Sequence, residues 1–192
     1  YTTKETLRGL FLFGGSMSLL DYVRLYDIED NSFCDSVIQN YSSGNWQDHL
    51  WNSPDGFQYE DKHLEMLFCN DVSKNMTHDI VGKVVADYSR IYDIGLINFT
   101  PPRYNRYKES TCIRKHNDHI NDIFDGERRG IPIVSIVGLL NDDFEGGEFI
   151  LCDEDMNLKK GHVLLFPSIF LYPHEVKTVT KGVRYSFVSW AW

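Results

Sequence analysis

The chain is 192 residues long and 42% hydrophobic, enough to bury one substantial core and too short for two ordinary domains. Its 28 acidic residues outnumber its 19 Lys and Arg for a formal net charge of −9, which argues against extended nucleic-acid contact, because backbone binding needs cations to neutralise phosphates. No apolar run reaches bilayer-spanning length, and Cys34, Cys69, Cys112 and Cys152 are scattered without a C-x-x-C pair, which fits reduced thiols in a cytoplasm rather than a zinc knuckle or disulfide framework.

At the N-terminus the apolar run Gly9 to Phe13 is too short for a signal peptide. The chain starts at Tyr, and Gly14-Gly15-Ser16 reads as a linker before Met17. Residues 1–16 are therefore expected to be a tag or extension, with one domain over 17–192. From Asp21 the pattern is helical first and β afterwards. Asn31 or Ser32 can cap a helix whose Phe33, Val37, Ile38 and Tyr41 recur on one face. Gly44 to Glu60, with Trp46, Trp51 and the turn Ser53-Pro54-Asp55-Gly56, reads as an irregular segment or a hairpin. A second helix is expected over Ser73 to Tyr92, with Met76, Ile80, Val84, Tyr88 and Ile91 as its apolar stripe, packed on the outside of a barrel, and with His78 off the stripe in solvent.

These helices, over about 30–92, would support a β core over about 97–192. Strands are expected at Ile97 to Phe99, Tyr104 to Tyr107, Cys112 to Asp118, Ile133 to Asn141, Gly147 to Cys152, His162 to Pro167, His174 to Thr178 and Val183 to Trp190. Aromatic content of 14% suits such strands. Many short strands with Gly and Asp turns and no interleaved helices point to a mainly β jelly roll with N-terminal helices. Asn141 to Glu148 is then a hairpin loop near the mouth, with glycines supplying positive φ.

Chemistry concentrates in two places. His116 and Asp118 stand at i and i+2, so one strand can aim both at the same point. His174, from a distant strand, would complete a 2-His-1-carboxylate facial triad that leaves coordination positions of Fe(II) open. Arg184 follows ten residues later, and its guanidinium can grip a carboxylate with two parallel hydrogen bonds, as the far carboxylate of 2-oxoglutarate requires. In a chain with 7 His and 28 acidic residues an H-x-D triplet arises easily by chance. The β context, the second His with its arginine and the Gly-rich hairpin between them favour the metal reading. His49, His63, His119 and His162 lack partners at metal spacing. Arg114 and Lys115, with Arg128 and Arg129, could line the entrance or form a solvated face.

From Tyr104 to the C-terminus the chain resembles the Fe(II)- and 2-oxoglutarate-dependent dioxygenases of the prolyl 4-hydroxylase type, especially the short members encoded by bacteriophages. The residues that carry the resemblance are Arg103-Tyr104-Asn105-Arg106-Tyr107, His116-Asn117-Asp118, the run from Gly130 to Phe149, Lys160 to Pro167, and Tyr172-Pro173-His174 to Trp192. The resemblance narrows the jelly roll to a cupin-like double-stranded β-helix. It implies His116, Asp118 and His174 as iron ligands and Arg184 as partner of the C5 carboxylate. Tyr107 would lie beside the iron-bound end of the cosubstrate, or else be a half-buried strand tyrosine, and Trp190 would stand near the substrate mouth, or else be core. Leu139 departs from the pattern where many relatives carry a second tyrosine for the C5 carboxylate, as does Arg184 where collagen-type members have lysine. Fe(II), 2-oxoglutarate and O2 are implied, with ascorbate as reductant, and the carboxylate at 118 favours hydroxylation over halogenation. The expected substrate is a prolyl residue of a peptide or protein. The alternatives are a nucleic-acid demethylase of the same superfamily, which typically carries two arginines well downstream of the last His, and a non-catalytic jelly-roll binding module, which would have lost a ligand or the anchoring base.

Overall fold

Every residue of Val134-Ser135-Ile136-Val137-Gly138-Leu139 is buried, as expected of a strand covered on both faces, and the larger sheet is built around it. The computed structural model describes residues 17–52, 58–68, 72–118 and 131–192. The proposed extension 1–16, the turn at 53–56, Cys69, His119, Arg128 and Arg129, and the side chain of His63 lie outside the described residues.

In chain order a 3-10 turn (Leu19–Tyr22) leads into β1 (Arg24–Asp27), α1 (Ser32–Tyr41), β2 (Gln47–Asn52), β3 (Gln58–Phe68) and α2 (Val72–Tyr92). Then come β4 (Arg103–Tyr107), β5 (Ile113–His116), β6 (Val134–Leu139), β7 (Glu145–Gly146), β8 (Phe149–Leu151) and β9 (Glu154–Asp155). The chain ends with β10 (His162–Pro167), β11 (His174–Val176), β12 (Val179–Lys181) and β13 (Arg184–Ala191). Seven strands form one sheet in the order β1-β10-β6-β13-β4-β3-β2, four form a second in the order β5-β11-β8-β9, and β12 pairs with β7. Every pairing is antiparallel.

Strand alternation divides the large sheet between two cores. Val134, Ile136, Val163, Leu165, Phe187 and Ala191 pack with Phe33, Val37, Val81, Val84 and Tyr88 of the helices. On the opposite face Val137, Leu164, Phe166 and Val188 meet Phe149, Leu151 and Val176 of the smaller sheet. The helices thus cover the outer face of the large sheet, and the second core lies between the sheets.

Several sequence expectations change. β is not confined to the chain after the helices: β1 pairs with β10 at an edge, and its short run with a single buried residue, Tyr26, gives almost no periodic signal. The segment after Gly44 is a hairpin, but its second strand runs on to Phe68. Ile97 to Phe99 is a single bridge at Phe99. The buried stripe of α2 is Thr77, Val81, Val84, Val85 and Tyr88, while Met76 is 42% exposed and Ile80 and Ile91 are half-buried at its edges. The stripe shifts because Thr77, polar yet fully buried, hydrogen-bonds the Tyr104 hydroxyl at 2.9 Å. A hydrophobicity pattern discards such a residue. His78 is half-buried, its ring 4.5 Å from that of Phe99. Asn31 occupies the N-cap of α1 without a side-chain cap bond. Among the described residues no helix is long and apolar enough to cross a membrane, and Cys34, Cys112 and Cys152 form no disulfide.

Gly138 is where the helix-side core presses hardest on the backbone. A Cβ there would lie 2.1 Å from the Phe187 ring, so Gly138→Ala is expected to cost about 1–3 kcal/mol through overpacking. Thermal unfolding should show it as a fall of several degrees, and Phe187→Leu should restore part of the loss.

Candidate metal centre

β5 and β11 pair so that His116 and His174 stand directly opposite each other, with ring centroids 4.3 Å apart. Each imidazole is fixed from behind by its own strand. His116 Nδ1 lies 2.8 Å from the Arg114 carbonyl and His174 Nδ1 lies 3.1 Å from the Tyr172 carbonyl. A carbonyl only accepts, so each Nδ1 carries the hydrogen and each Nε2 is left with its lone pair. Phe149 and Phe166 close around His174, with centroids 5.6 Å and 4.9 Å from its ring.

Asp118 does not sit on the same strand as His116, because β5 ends at His116. Period-two alternation therefore does not orient it. Its Oδ2 instead accepts hydrogen bonds from Ser135 Oγ at 2.7 Å and Trp190 Nε1 at 3.0 Å, both on the large sheet, and Ser135 is itself held by Ser168 at 2.8 Å. That grip turns Oδ1 toward the histidines, 3.6 Å from each Nε2. Such separations are too long for hydrogen bonds. The three candidate ligand atoms lie within 4.8 Å of one another, so two imidazole nitrogens and an anionic oxygen converge on one point. A divalent cation fits that donor set.

The charge balance agrees. Burial works against the Asp118 carboxylate, but protonation of His116 or His174 opposite it and the Ser135 hydrogen bond outweigh it and hold its pKa well below the ordinary 3.8. Burial lowers the His174 pKa from 6.5, with Asp118 opposing and His116 adding to the fall. A neutral imidazole facing a carboxylate is the protonation state a metal ion needs.

Arg184 lies at the far end of the strand that carries Trp190. It is 1% exposed, donates from Nε to the Gly147 carbonyl at 3.1 Å and from Nη1 to Ser186 Oγ at 3.0 Å, and has its guanidinium carbon 5.0 Å from the Tyr107 ring. No carboxylate pairs with it among the described residues. Leu139, Phe144, Gly147, Phe149 and Leu158 border with it a pocket of about 100 Å³. Gly147 takes φ +68°, where a Cβ would press on Arg184 Cδ at 3.0 Å.

The structure thus brings together His116, Asp118 and His174, and sets Tyr107 against Arg184 rather than loose on its strand. It places Trp190 on Asp118, a contact that sequence reading missed. Ser135, Ser168 and Ser186 were missed as well. A serine amid the apolar residues of β6 was the available signal for the first. Arg114 and Lys115 are exposed, and Lys115 pairs with Asp153.

The sequence profile of the 2OG-Fe(II) oxygenase superfamily matches residues 102–192. A PKHD-type hydroxylase of Xylella fastidiosa (strain M23) is 31% identical over 174 residues, 81% of this chain and 71% of the relative. Another, from Thermosynechococcus vestitus, is 34% identical over 96 residues, 47% of this chain and 42% of the relative. The chain belongs to the 2OG-Fe(II) oxygenase superfamily, and it is an enzyme. Among solved structures a Pseudomonas putida prolyl-4-hydroxylase superimposes with TM-score 0.67 at 15% identity, over 88% of this chain and 91% of the other. A prolyl hydroxylase from Trichoplax adhaerens, in complex with a hypoxia inducible factor oxygen degradation domain peptide fragment, gives 0.70 at 17%, over 90% and 85%.

Two outcomes follow from the grip on Asp118. Trp190→Phe and Ser135→Ala should each weaken divalent-metal binding by about tenfold or more while leaving the circular dichroism unchanged, since residues behind a ligand tune its geometry. Calorimetric titration with Mn(II) checks this. Metal affinity should also fall as the pH drops through the imidazole range, with the loss delayed at His174, because that buried ring takes up its proton later than an ordinary imidazole. The metal-free fold loses stability in the same direction, since the unfolded chain binds that proton first.

Proposed function

We propose that the chain is an Fe(II)- and 2-oxoglutarate-dependent hydroxylase acting on a prolyl residue of a peptide or protein, with its two facing sheets forming a double-stranded β-helix. The observation that carries this reading is the convergence of three lone-pair donors at one end of an inter-sheet space that holds at the other a buried guanidinium with no carboxylate partner among the described residues. His116, Asp118 and His174 would hold the iron, which when bound supplies the oxidation of an unactivated C–H bond coupled to decarboxylation of the cosubstrate.

The chain's own part is to bind, orient and exclude water. Arg184, held flat by Gly147 and Ser186 with Tyr107 against its face, presents its remaining N–H groups to an anion. That is the geometry a C5 carboxylate takes up. Leu139 leaves this end apolar where a second hydroxyl would otherwise help. Phe149, Phe166 and Val176 keep the histidine side dry, which strengthens every charge interaction there. A peptide substrate is supported by the peptide-bound Trichoplax neighbour, and the net charge of −9 weighs against the demethylase alternative.

Succinate release with Fe(II), 2-oxoglutarate and ascorbate, with and without proline-containing peptides, tests the reading. Peptide-stimulated release that disappears in His116→Ala, Asp118→Ala and His174→Ala supports it. Near-normal turnover in any of the three removes that residue from the centre.

Arg184→Ala should cost on the order of 2–5 kcal/mol of 2-oxoglutarate binding, since it leaves a carboxylate buried without its counter-charge. Lysine should rescue only in part. Titration of 2-oxoglutarate into the anaerobic Fe(II) protein reads the change, and unaltered affinity would discard the anchor role.

A further inference from the structure

Strand β4 turns Arg103, Asn105 and Tyr107 toward the space between the sheets, while Tyr104 packs with the helices and Arg106 lies over Trp46. At one end of this row Tyr107 pairs in register with Arg184. Arg103, at the other end, pairs with Val188 on β13 and with Phe68 on β3. Four residues of strand, about 13 Å, separate the two levels. Phe68 is 57% exposed, so the Arg103 end is the open one.

The Arg103 guanidinium carbon stands 5.2 Å from the centre of the Trp190 ring, the same indole that donates to Asp118. It therefore adjoins the metal centre on the side away from Arg184. Its Nε is buried and has no hydrogen-bond partner. The chain has 28 acidic residues, and although the charge of Asp118 reaches this cation, none forms an ion pair with it within contact distance among the described residues. Beside it on the same face Asn105 is buried with its Oδ1 unpartnered. Buried polar groups in native proteins are mostly satisfied, so the Arg103 Nε calls for an acceptor and the Asn105 Oδ1 beside it for a donor such as a peptide N–H. One face of the guanidinium is covered by the indole, which leaves its edge to receive a planar anion through two N–H groups.

We propose that Arg103 is a receptor for a substrate carboxylate, so that the enzyme selects substrates carrying an acidic group close to the carbon it oxidises. This rests on the assignment of His116, Asp118 and His174 as the reaction centre. The anion is not the cosubstrate, because a five-carbon diacid gripped by Arg184 does not extend beyond the triad to Arg103. One guanidinium in a chain of net charge −9 balances one negative charge, which favours a carboxylate over a doubly charged phosphate. The carboxylate can be the side chain of an Asp or Glu next to the target residue or the terminal carboxylate of a target at the end of its chain.

The two sources are separated by affinity measurements on protein loaded with Mn(II) and 2-oxoglutarate in the absence of oxygen. One peptide series places Asp, Asn or Lys beside a central proline, and a second ends in proline as the free acid or the amide. Fluorescence anisotropy of labelled peptides gives the affinities. Wild type should bind one of the acids about tenfold or more tightly than its neutral isostere, as expected for a hydrogen bond to a charged group. The Asp/Asn ratio or the acid/amide ratio then identifies the source. Arg103→Gln should bring that ratio close to one, Arg103→Lys should retain part of it, and Arg103→Glu should favour Lys.

Equal affinities across both series in wild type, or a preference that persists undiminished in Arg103→Glu, would overturn the proposal. Binding by none of the peptides would do the same. The reaction itself is judged separately. Succinate release stimulated by a neutral peptide, with no charge preference, keeps the oxygenase reading and removes Arg103. Charge-selective binding without metal-dependent turnover keeps Arg103 and removes the reaction centre.

Discussion

The grip of Ser135 and Trp190 on the Asp118 carboxylate is the constraint on which the rest of the site depends. His116 and His174 belong to the four-stranded sheet and are aligned by ordinary cross-strand pairing. Asp118 leaves that sheet and is held by two donors on the seven-stranded one. The three-residue centre therefore closes only when the two sheets face each other at their folded separation. A buried carboxylate needs compensation for its lost hydration. Here two hydrogen bonds on one oxygen provide it.

β13 links this centre to the rest of the molecule. Its inward residues run from Arg184 through Ser186 and Val188 to Trp190, while Phe187 and Ala191 anchor the opposite face under the helices. Phe187 fits only because Gly138, its neighbour on β6, has no side chain. A shift of this strand by one residue would exchange every inward group for an outward one. Core packing on the outer face thus fixes the register that sets Arg184 and Trp190 at opposite ends of the inner one. The helices touch no ligand atom, yet they hold the strand that positions two of the groups around it.

The polar groups on the inner face differ in how they are satisfied. Arg184 is braced by a backbone carbonyl and a serine, and Asp118 by a serine and an indole. Arg103 and Asn105 keep buried atoms with no partner. Bracing keeps a group in position before its ligand arrives, which lowers the cost of binding. An unsatisfied donor such as Arg103 Nε would gain a hydrogen bond from an arriving acceptor.

Much of this was legible in the sequence. The spacing of His116, Asp118, His174 and Arg184 picked out three donors that the fold brings together and an arginine that it buries, although the strand alternation expected to orient Asp118 ends at His116. The β-rich second half and the two helices were local. Other features depended on contacts between residues distant in the chain. The pairing of Arg24–Asp27 with β10 spans more than a hundred residues. Thr77 is buried where α2 packs on the sheet and its hydroxyl meets that of Tyr104, and Asp118 points inward because Ser135 and Trp190 hold it, not because a strand carries it there. The amino-acid sequence by itself determined which groups could bind a metal and an acid, since that is a matter of side-chain chemistry and spacing. Only the tertiary structure decided which donors orient them and which cations form no ion pair among the described residues, since hydrogen-bond satisfaction depends on neighbours that folding alone brings together.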